Sequence, residues 1–174
     1  MKALLLGSTG LLGQAMLREC SERGYRVASA ARRNAPIAID IADTSSLIAL
    51  LQAELPDVVI NCAGLADIDH CEANPEVAWA TNARPLAFLA EWARLYDRRL
   101  LHISTDHYYV DGGRMAHDEL APIILVNEYA RTKFAGEALA LTVSHSLVLR
   151  TSIVGIRRWT RQTFAEWAID LVEQ

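Results

Sequence analysis

Short apolar runs alternate with longer amphipathic segments along nearly the whole chain. The segment after the first run places Leu12, Met16 and Leu17 at helical spacing, and the later segments repeat this period up to a last helix that includes 164–169. The pattern predicts alternating strands and helices, beginning with a strand. Six runs are apolar over most of their length and as short as buried strands: 3–6, 26–30, 37–39, 58–60, 100–103 and 147–150.

Residues that favour helix ends stand between these segments. Gly24 predicts the end of the first helix, Asp43 can cap the second, and Asn74 precedes a proline that suits a first helical turn. Another helix is predicted from about 128 to 141. These signals place one helical segment between most pairs of successive strands.

Alternation of this kind predicts an α/β fold, namely a doubly wound parallel sheet of the Rossmann type with strand order 3-2-1-4-5-6. The 174 residues are enough for one core, so we expect a single domain over 1–174. In such a sheet ligands bind beyond the carboxyl ends of the strands, where the strand order reverses between strands 1 and 4.

Charge and composition narrow the classes of partner. A net charge of −4 argues against nucleic acid. The apolar start stops at Gly7, which is too short for a signal peptide, and no stretch has the length of a membrane span. Cys20, Cys62 and Cys71 lack metal-ligand spacing, so we expect reduced thiols, a cytoplasmic location and no metal site.

Three glycines follow the first predicted strand in the pattern G-x-x-G-x-x-G. Gly7 allows a tight turn, Gly10 lets the backbone approach a pyrophosphate, and Gly13 allows the helix to pack close to the sheet. The helix start offers free N–H groups to phosphates. Because glycine turns between strand and helix are common, a purely structural turn is the alternative.

Tyr129 and Lys133 stand four residues apart on one predicted helix face. A nearby ammonium favours the phenolate and is expected to lower the pKa of the phenol, so the pair can move a proton to or from a carbonyl oxygen. A solvated surface pair is the alternative. Hydroxyls at Ser104 and Thr105 end the fifth strand, and small residues at 62–64 follow the fourth, so four features converge on one crevice.

At this point the sequence resembles a known family, the extended short-chain dehydrogenase/reductases, and within it most closely the dTDP-4-dehydrorhamnose reductase branch. The resemblance implies that Thr105 holds a substrate carbonyl, that Tyr129 donates a proton, and that Lys133 binds nicotinamide-ribose hydroxyls and tunes Tyr129. The stretches that carry it run in order along the chain: Gly7 to Gly13, Asp40, Asn61-Cys62-Ala63-Gly64, Ser104-Thr105-Asp106, Glu128 to Lys133, Ala135-Gly136-Glu137 and Leu149-Arg150-Thr151-Ser152.

The same resemblance implies a dinucleotide site built from both halves of the sheet. Asp40 and Ile41 would flank the adenine, and Cys62 to Gly64 would line the middle of the cofactor. The expected cofactor-binding residues are Gly7, Thr9, Gly10, Leu11, Leu12, Gly13, Arg32, Arg33, Asp40, Ile41, Cys62, Ala63, Gly64, Tyr129 and Lys133.

Arg32 and Arg33 bear on the choice of cofactor. An acidic residue for the ribose 2′-hydroxyl usually ends strand 2 in NAD-binding folds, but this chain has alanines followed by two arginines. Because a guanidinium suits a 2′-phosphate by charge and by geometry, we expect NADP. NAD, with a solvated arginine loop, is the alternative.

Together these features predict a reductase of a 4-keto nucleotide sugar. A nucleotide-sugar epimerase or dehydratase would use the same three residues, and a cofactor-binding or regulatory module without catalysis is the alternative from another class. The family usually continues into a C-terminal lobe that recognises the sugar, and this lobe is largely missing here, so we expect good cofactor affinity with poor turnover. We also expect homo-oligomers or partner binding through the apolar C-terminal helix, for which we name Trp159, Phe164, Trp167, Ile169 and Leu171.

Several other polar and aromatic residues receive plainer interpretations. His70 and Cys71, near Asp67 and Asp69, are read as surface residues of a loop, and His102 is read as a strand residue with a satisfied ring. His107 and Tyr108-Tyr109 either line a substrate mouth or belong only to the loop.

Overall fold

The structure, a computed structural model, describes residues 1–109, 116–156 and 163–172. Trp159 therefore lies outside the described residues. Within those ranges every strand belongs to one parallel sheet, in the predicted order β3-β2-β1-β4-β5-β6. The strands are β1 (Lys2–Leu6), β2 (Arg26–Ala31), β3 (Ile37–Ala38), β4 (Val58–Asn61), β5 (Arg99–Thr105) and β6 (Ser146–Thr151).

Helices make up most of the connections between successive strands in the described ranges. None of them is long and apolar enough to cross a membrane. Their bounds are α1 (Leu11–Glu22), α2 (Thr44–Glu54), α3 (Ile68–Ala73), α4 (Pro75–Asn82), α5 (Arg84–Leu95), α6 (Glu128–Ala140) and α7 (Phe164–Val172). Within the described ranges, α1 to α6 lie between strands of this sheet, although none separates β2 from β3, and α7 follows β6.

Helix ends follow the capping residues that the sequence offers. Gly24 closes α1 with φ +72°, and the Asp43 side chain accepts hydrogen bonds from two backbone N–H groups at the start of α2, as predicted. Thr163 and Glu166 form a reciprocal capping box at the start of α7, in which each side chain accepts from the other's backbone N–H.

The structure differs from the sequence analysis around residues 67–95. The stretch read as a loop contains α3, because Asp67 accepts a hydrogen bond from the backbone of His70 and so caps a short helix. The single helical region expected after Asn74 is two helices, α4 and α5, separated at Ala83. Pro85, which has no N–H to donate, then stands in the first turn of α5.

Two apolar clusters pack on opposite faces of the sheet. The larger one lies under α2, α5 and α6 and includes Leu4, Val59 and Leu89, all fully buried. The smaller one lies under α1 and includes Leu5 of β1 and Ile60 of β4, which are paired in the sheet. Towards β6 this second face is open: Leu147 is 52% exposed and Leu149 37% exposed.

Candidate active site

The turn after β1 lies directly against the chain that leaves β4. Gly7 has φ +77°, and a Cβ atom on it would lie 2.6 Å from the backbone nitrogen of Ala63. The backbone N–H of Cys62 donates to the carbonyl of Leu6 at 2.9 Å. Glycine is therefore required at position 7, both for its backbone angle and for this close approach.

Gly13 and Gly10 have different surroundings in the same turn. A Cβ atom on Gly13 would lie 2.1 Å from the carbonyl oxygen of Gly7, so the close packing expected at this position is confirmed. A Cβ atom on Gly10 would lie 3.2 Å from the same oxygen. Gly10 is the N-cap of α1 and has no side chain, and no acidic residue stands in the first turn. The N–H groups at the start of α1 thus face no protein carboxylate within their own turn.

Leu11 and Leu12 border a cleft of about 470 Å³ between α1 and residues 152–156. A Cβ atom on Gly155 would lie 3.3 Å from the Leu11 side chain, so the two walls are in contact at one end. The carbonyl of Thr9 accepts a hydrogen bond from the Gln14 side chain at 2.8 Å. The expected pyrophosphate loop therefore forms one wall of an open cleft at the carboxyl edge of the sheet.

The residues expected around the adenosine end lie beyond β2 and β3. Arg32 and Arg33 are exposed, and no ion pair or hydrogen bond of their side chains is formed within the described residues. Asp40 is exposed and accepts a hydrogen bond from the backbone of Ala42. Ile41 is 6% exposed and its side chain belongs to the core.

Thr105 and Tyr129 face each other across the end of β5. Thr105 is buried, and its Oγ1 accepts a hydrogen bond from the backbone N–H of His107 at 3.1 Å. Burial raises the pKa of Tyr129, and a hydrogen bond with the Thr105 hydroxyl opposes that rise. Tyr129 is therefore a neutral phenol near pH 7, with its proton in place.

Lys133 is buried one helical turn further along α6. Its Nζ donates to the carbonyl of Ile103 at 2.6 Å, and burial lowers the pKa of this ammonium to about 8. The expectation that Lys133 lowers the pKa of Tyr129 is wrong for this structure: burial raises that pKa, and the group that opposes the rise is Thr105, not Lys133. A Cβ atom on Gly64 would lie 3.8 Å from Nζ, which puts Lys133 against the chain leaving β4.

Cys62 and His102 stand in the same low-dielectric region. Burial raises the pKa of the Cys62 thiol to about 12, so the thiol is protonated. Burial and the nearby Lys133 lower the pKa of His102 to about 2. The reading of His102 as fully satisfied is wrong: Nδ1 lies 3.3 Å from Asn61 Nδ2, but Nε2 has no hydrogen-bond partner within the described residues.

Asn82 supports the site, and it is not among the residues predicted from the sequence. Its side chain accepts from the backbone N–H of Leu65 at 2.7 Å and donates to the Leu65 carbonyl and to Thr132 Oγ1. A Cβ atom on Gly136 would lie 2.5 Å from the Asn82 carbonyl oxygen, so α4 and α6 approach closely. This contact holds the helix of Tyr129 and Lys133. Asn82 is buried, and buried polar side chains need hydrogen-bond partners. The sequence signal that could have revealed its role is an asparagine inside a mostly apolar helical stretch.

Arg150 organises the loop after β5. Its guanidinium pairs with both carboxylate oxygens of the buried Glu137 and donates to the Tyr109 hydroxyl at 2.8 Å. It also lies 5.3 Å from the centre of the Tyr108 ring, and Tyr108 is fully buried with its hydroxyl 3.0 Å from Ser104. Tyr108 is thus a core residue rather than part of a substrate mouth. From the sequence, Arg150 and Glu137 were only members of the stretches that carry the family resemblance, and no role was predicted for them.

No group of three or more His, Cys, Asp or Glu side chains that could hold a metal ion is present in the parts of the chain that the structure describes. His70 is exposed, as expected. The reading of Cys71 as a surface residue is wrong, because Cys71 is a buried residue of α3, with its Sγ 3.6 Å from the carbonyl of Leu65. The polar residues near 67–71 therefore serve the short helix α3 and its packing.

Comparison with known proteins gives consistent relatives. A sequence model of the RmlD substrate binding domain matches residues 1–173. A probable low-salt glycan biosynthesis reductase of Haloferax volcanii is 34% identical over 186 residues, which cover 95% of this chain and 61% of that protein. The dTDP-4-dehydrorhamnose reductase of Aggregatibacter actinomycetemcomitans is 29% identical over 177 residues, covering 99% of this chain and 55% of that protein.

A solved structure shows the same fold. The dTDP-4-dehydrorhamnose reductase of Bacillus anthracis, crystallised in complex with NADP, superposes with a TM-score of 0.85 at 23% identity, over 99% of this chain and 60% of that one. The present chain therefore spans little more than half the length of these relatives.

Proposed function

Because the chain belongs to the RmlD substrate-binding-domain family, we propose that it carries the cofactor-binding and proton-donating part of an NADPH-dependent reductase of 4-keto nucleotide sugars. The observation that carries the proposal is the convergence of Thr105, Tyr129 and Lys133 at the end of β5, beside the chain that packs on the glycine turn. Relatives named as dTDP-4-dehydrorhamnose reductases support a dTDP-linked sugar as the substrate class. Use of NADPH and three free thiols fit the cytoplasm.

Thr105 and Tyr129 both act on the keto oxygen in the proposed reduction. Thr105 accepts a hydrogen bond from the backbone of His107 and also hydrogen-bonds the Tyr129 hydroxyl. With the sugar bound, its O–H turns to donate to the keto oxygen. Tyr129 holds a proton at neutral pH, as any phenol does, and burial raises its pKa further. It gives that proton to the same oxygen as negative charge develops there. The keto group becomes a hydroxyl, and Tyr129 is left as a phenolate, which regains a proton from water before the next reaction.

The described residues fit a dinucleotide. The first residues of α1, Leu11 and Leu12, offer backbone N–H donors for the pyrophosphate. The N–H of Gly10 closes the turn on the Gly7 carbonyl, and Gly7 and Gly13 keep the turn compact. Arg32 and Arg33 are exposed beyond β2 and suit a 2′-phosphate. Lys133, whose ammonium donates to the Ile103 carbonyl, would use its remaining hydrogens to donate to ribose hydroxyls. When bound there, NADPH would supply the hydride for the carbonyl carbon.

The proposal is tested by mixing the protein with NADPH and a panel of nucleotide-linked keto sugars, and following NADPH oxidation by absorbance. We expect slow but sugar-dependent oxidation with dTDP-4-dehydrorhamnose. Tight NADPH binding without oxidation for any sugar would indicate a cofactor-binding module instead, and interconversion of sugars without net NADPH loss would indicate an epimerase.

A further inference from the structure

His107 is fixed at two points beside Thr105 and Tyr129. Its backbone N–H donates to Thr105 Oγ1 at 3.1 Å, and its ring Nε2 lies 2.9 Å from Nδ2 of Asn127. The centre of its ring is 6.0 Å from that of Tyr129, with an angle of 57° between the rings. The imidazole therefore has a set position next to the phenol that is proposed to donate the proton.

The contact with Asn127 determines which ring nitrogen carries hydrogen. Asn127 is the N-cap of α6, and its Oδ1 accepts from the backbone N–H of Ala130 at 2.8 Å. Because that donor occupies the oxygen, the amide nitrogen faces His107, and an amide nitrogen can only donate. Nε2 of His107 must therefore accept, and the neutral ring carries its hydrogen on Nδ1.

We propose that His107 is a substrate-positioning residue, whose Nδ1–H donates a hydrogen bond to an oxygen of the sugar next to the carbon that is reduced. Within the described residues no hydrogen bond engages this nitrogen. The inference rests on the proposed function and adds a source of specificity to it. A site that offers a fixed donor selects sugars with an oxygen at that place over deoxy analogues that lack it.

Two substitutions separate the two ring nitrogens. In His107→Asn the side-chain amide occupies the place of Nδ1, and in His107→Gln it reaches the place of Nε2. The probe is dTDP-rhamnose, titrated by calorimetry into protein saturated with NADP⁺, so that the measurement does not depend on turnover. We expect His107→Gln to weaken binding about 3- to 10-fold, the effect of losing one hydrogen bond, and His107→Asn to stay within about twofold of the unmodified protein.

A spectroscopic measurement tests the cause of the donor directly. The ¹⁵N shifts of labelled histidine report which ring nitrogen is protonated, and we expect His107 to carry hydrogen on Nδ1. Asn127→Ser keeps an N-cap for α6 but removes the amide donor. In that variant we expect the form with hydrogen on Nε2 to appear and dTDP-rhamnose binding to weaken, while NADPH affinity is unchanged.

The outcomes distinguish this inference from the proposed function. If the unmodified protein binds NADP⁺ but not dTDP-rhamnose, the proposed function fails and the inference fails with it. If dTDP-rhamnose binds and both His107 variants match the unmodified protein, only the positioning role is overturned. Hydrogen on Nε2 of His107 in the unmodified protein would also overturn it.

Discussion

At the scale of single residues, burial shifts the pKa values of the groups that the proposed reaction uses. Removal from water raises the pKa of Tyr129 and lowers that of Lys133 to about 8, because in each case the charged form loses its hydration. A neutral phenol suits a reductase, which must give a proton away. The ammonium of Lys133 instead makes its hydrogen bond with the Ile103 carbonyl.

The lowered pKa of Lys133 predicts a pH-dependent stability. Between about pH 8 and the ordinary value of 10.5, the folded protein binds fewer protons than the unfolded chain, so the free energy of unfolding rises with pH over this window. Lys133→Met avoids burying a charge and is expected to be the more stable protein at pH 7. The excess in its free energy of unfolding over that of the unmodified protein should shrink by roughly 3 kcal/mol between pH 8 and 10.5, at about 1.4 kcal/mol per pKa unit.

Urea denaturation at a series of pH values measures this difference. Lys2→Met is the matched control, because Lys2 is the other lysine of the chain and its side chain is 29% exposed. Parallel stability curves for the unmodified protein and Lys133→Met would contradict the account of a buried ammonium.

Residue types and spacing predicted the members of the site better than their surroundings. Tyr129 and Lys133 share a helix in any reading of 128–141, so their proximity followed from the period of the helix. Their pKa values did not, because burial depends on α4, α5 and β4, which are remote in sequence. For the same reason the role of Asn127, whose amide must be placed between Ala130 and His107, could not be read from its position before a helix.

At the scale of elements, the turn between β1 and α1 combines two glycine functions that substitutions can separate. Gly13→Ala places a methyl group 2.1 Å from the Gly7 carbonyl oxygen, so the backbone must shift. We expect it to lower the free energy of unfolding by about 1–3 kcal/mol, the range of overpacked sites. Gly10→Val meets one atom at 3.2 Å and should change stability less, but should weaken NADPH binding more than tenfold by blocking the pyrophosphate.

Thermal melting without ligand and NADPH titration of both variants decide this point. Gly24→Ala, in a turn where a Cβ atom meets nothing within 4 Å, controls for the loss of a glycine with positive φ. Normal NADPH affinity in Gly10→Val would leave the turn with a structural role only.

The segment between β2 and β3 carries the choice of cofactor. Arg32 and Arg33 are exposed there, and we expect NADPH to bind more tightly than NADH. Replacing both by alanine should remove most of this preference, about tenfold or more, since each loses a charge-assisted hydrogen bond. Dissociation constants from calorimetry measure it, with Arg23→Ala, whose guanidinium pairs with Glu19 on α1, as the control. Equal affinities for NADPH and NADH in the unmodified protein would refute the assignment.

Element types and their order were predictable, but some boundaries were not. The apolar runs at 58–60 and 100–103 identified β4 and β5, because strands covered on both faces need continuous apolar sequence. The helix α3 was missed because its six residues are too few to show a period. The break at Ala83 depends on packing against α6, which local sequence does not report.

At the scale of the whole molecule, one face of the sheet is only partly covered. Leu147 and Leu149 on β6 are exposed, and α7 exposes Trp167, Ile169 and Leu171 by 51%, 41% and 53%. Apolar surface of this kind marks an interface. We therefore predict that the chain self-associates, with α7 in the contact.

Light scattering over a range of protein concentrations tests this prediction. The measured mass should rise with concentration, and Trp167→Gln combined with Leu171→Gln should reduce the rise. Leu120→Gln is the control, because Leu120 is 91% exposed but lies outside α7. A single monomeric species at every concentration would contradict self-association.

The central claim is that this site reduces a keto sugar with NADPH and that Tyr129 supplies the proton. The most direct measurement is mass spectrometry of the sugar after long incubation of the protein with dTDP-4-dehydrorhamnose and NADPH deuterated at C4, which detects slow reactions. We expect reduced sugar with one deuterium on the former carbonyl carbon, and at least about 10²-fold less with Tyr129→Phe at equal NADPH affinity. Unreduced sugar with bound NADPH, or full deuterium transfer by Tyr129→Phe, would contradict the account.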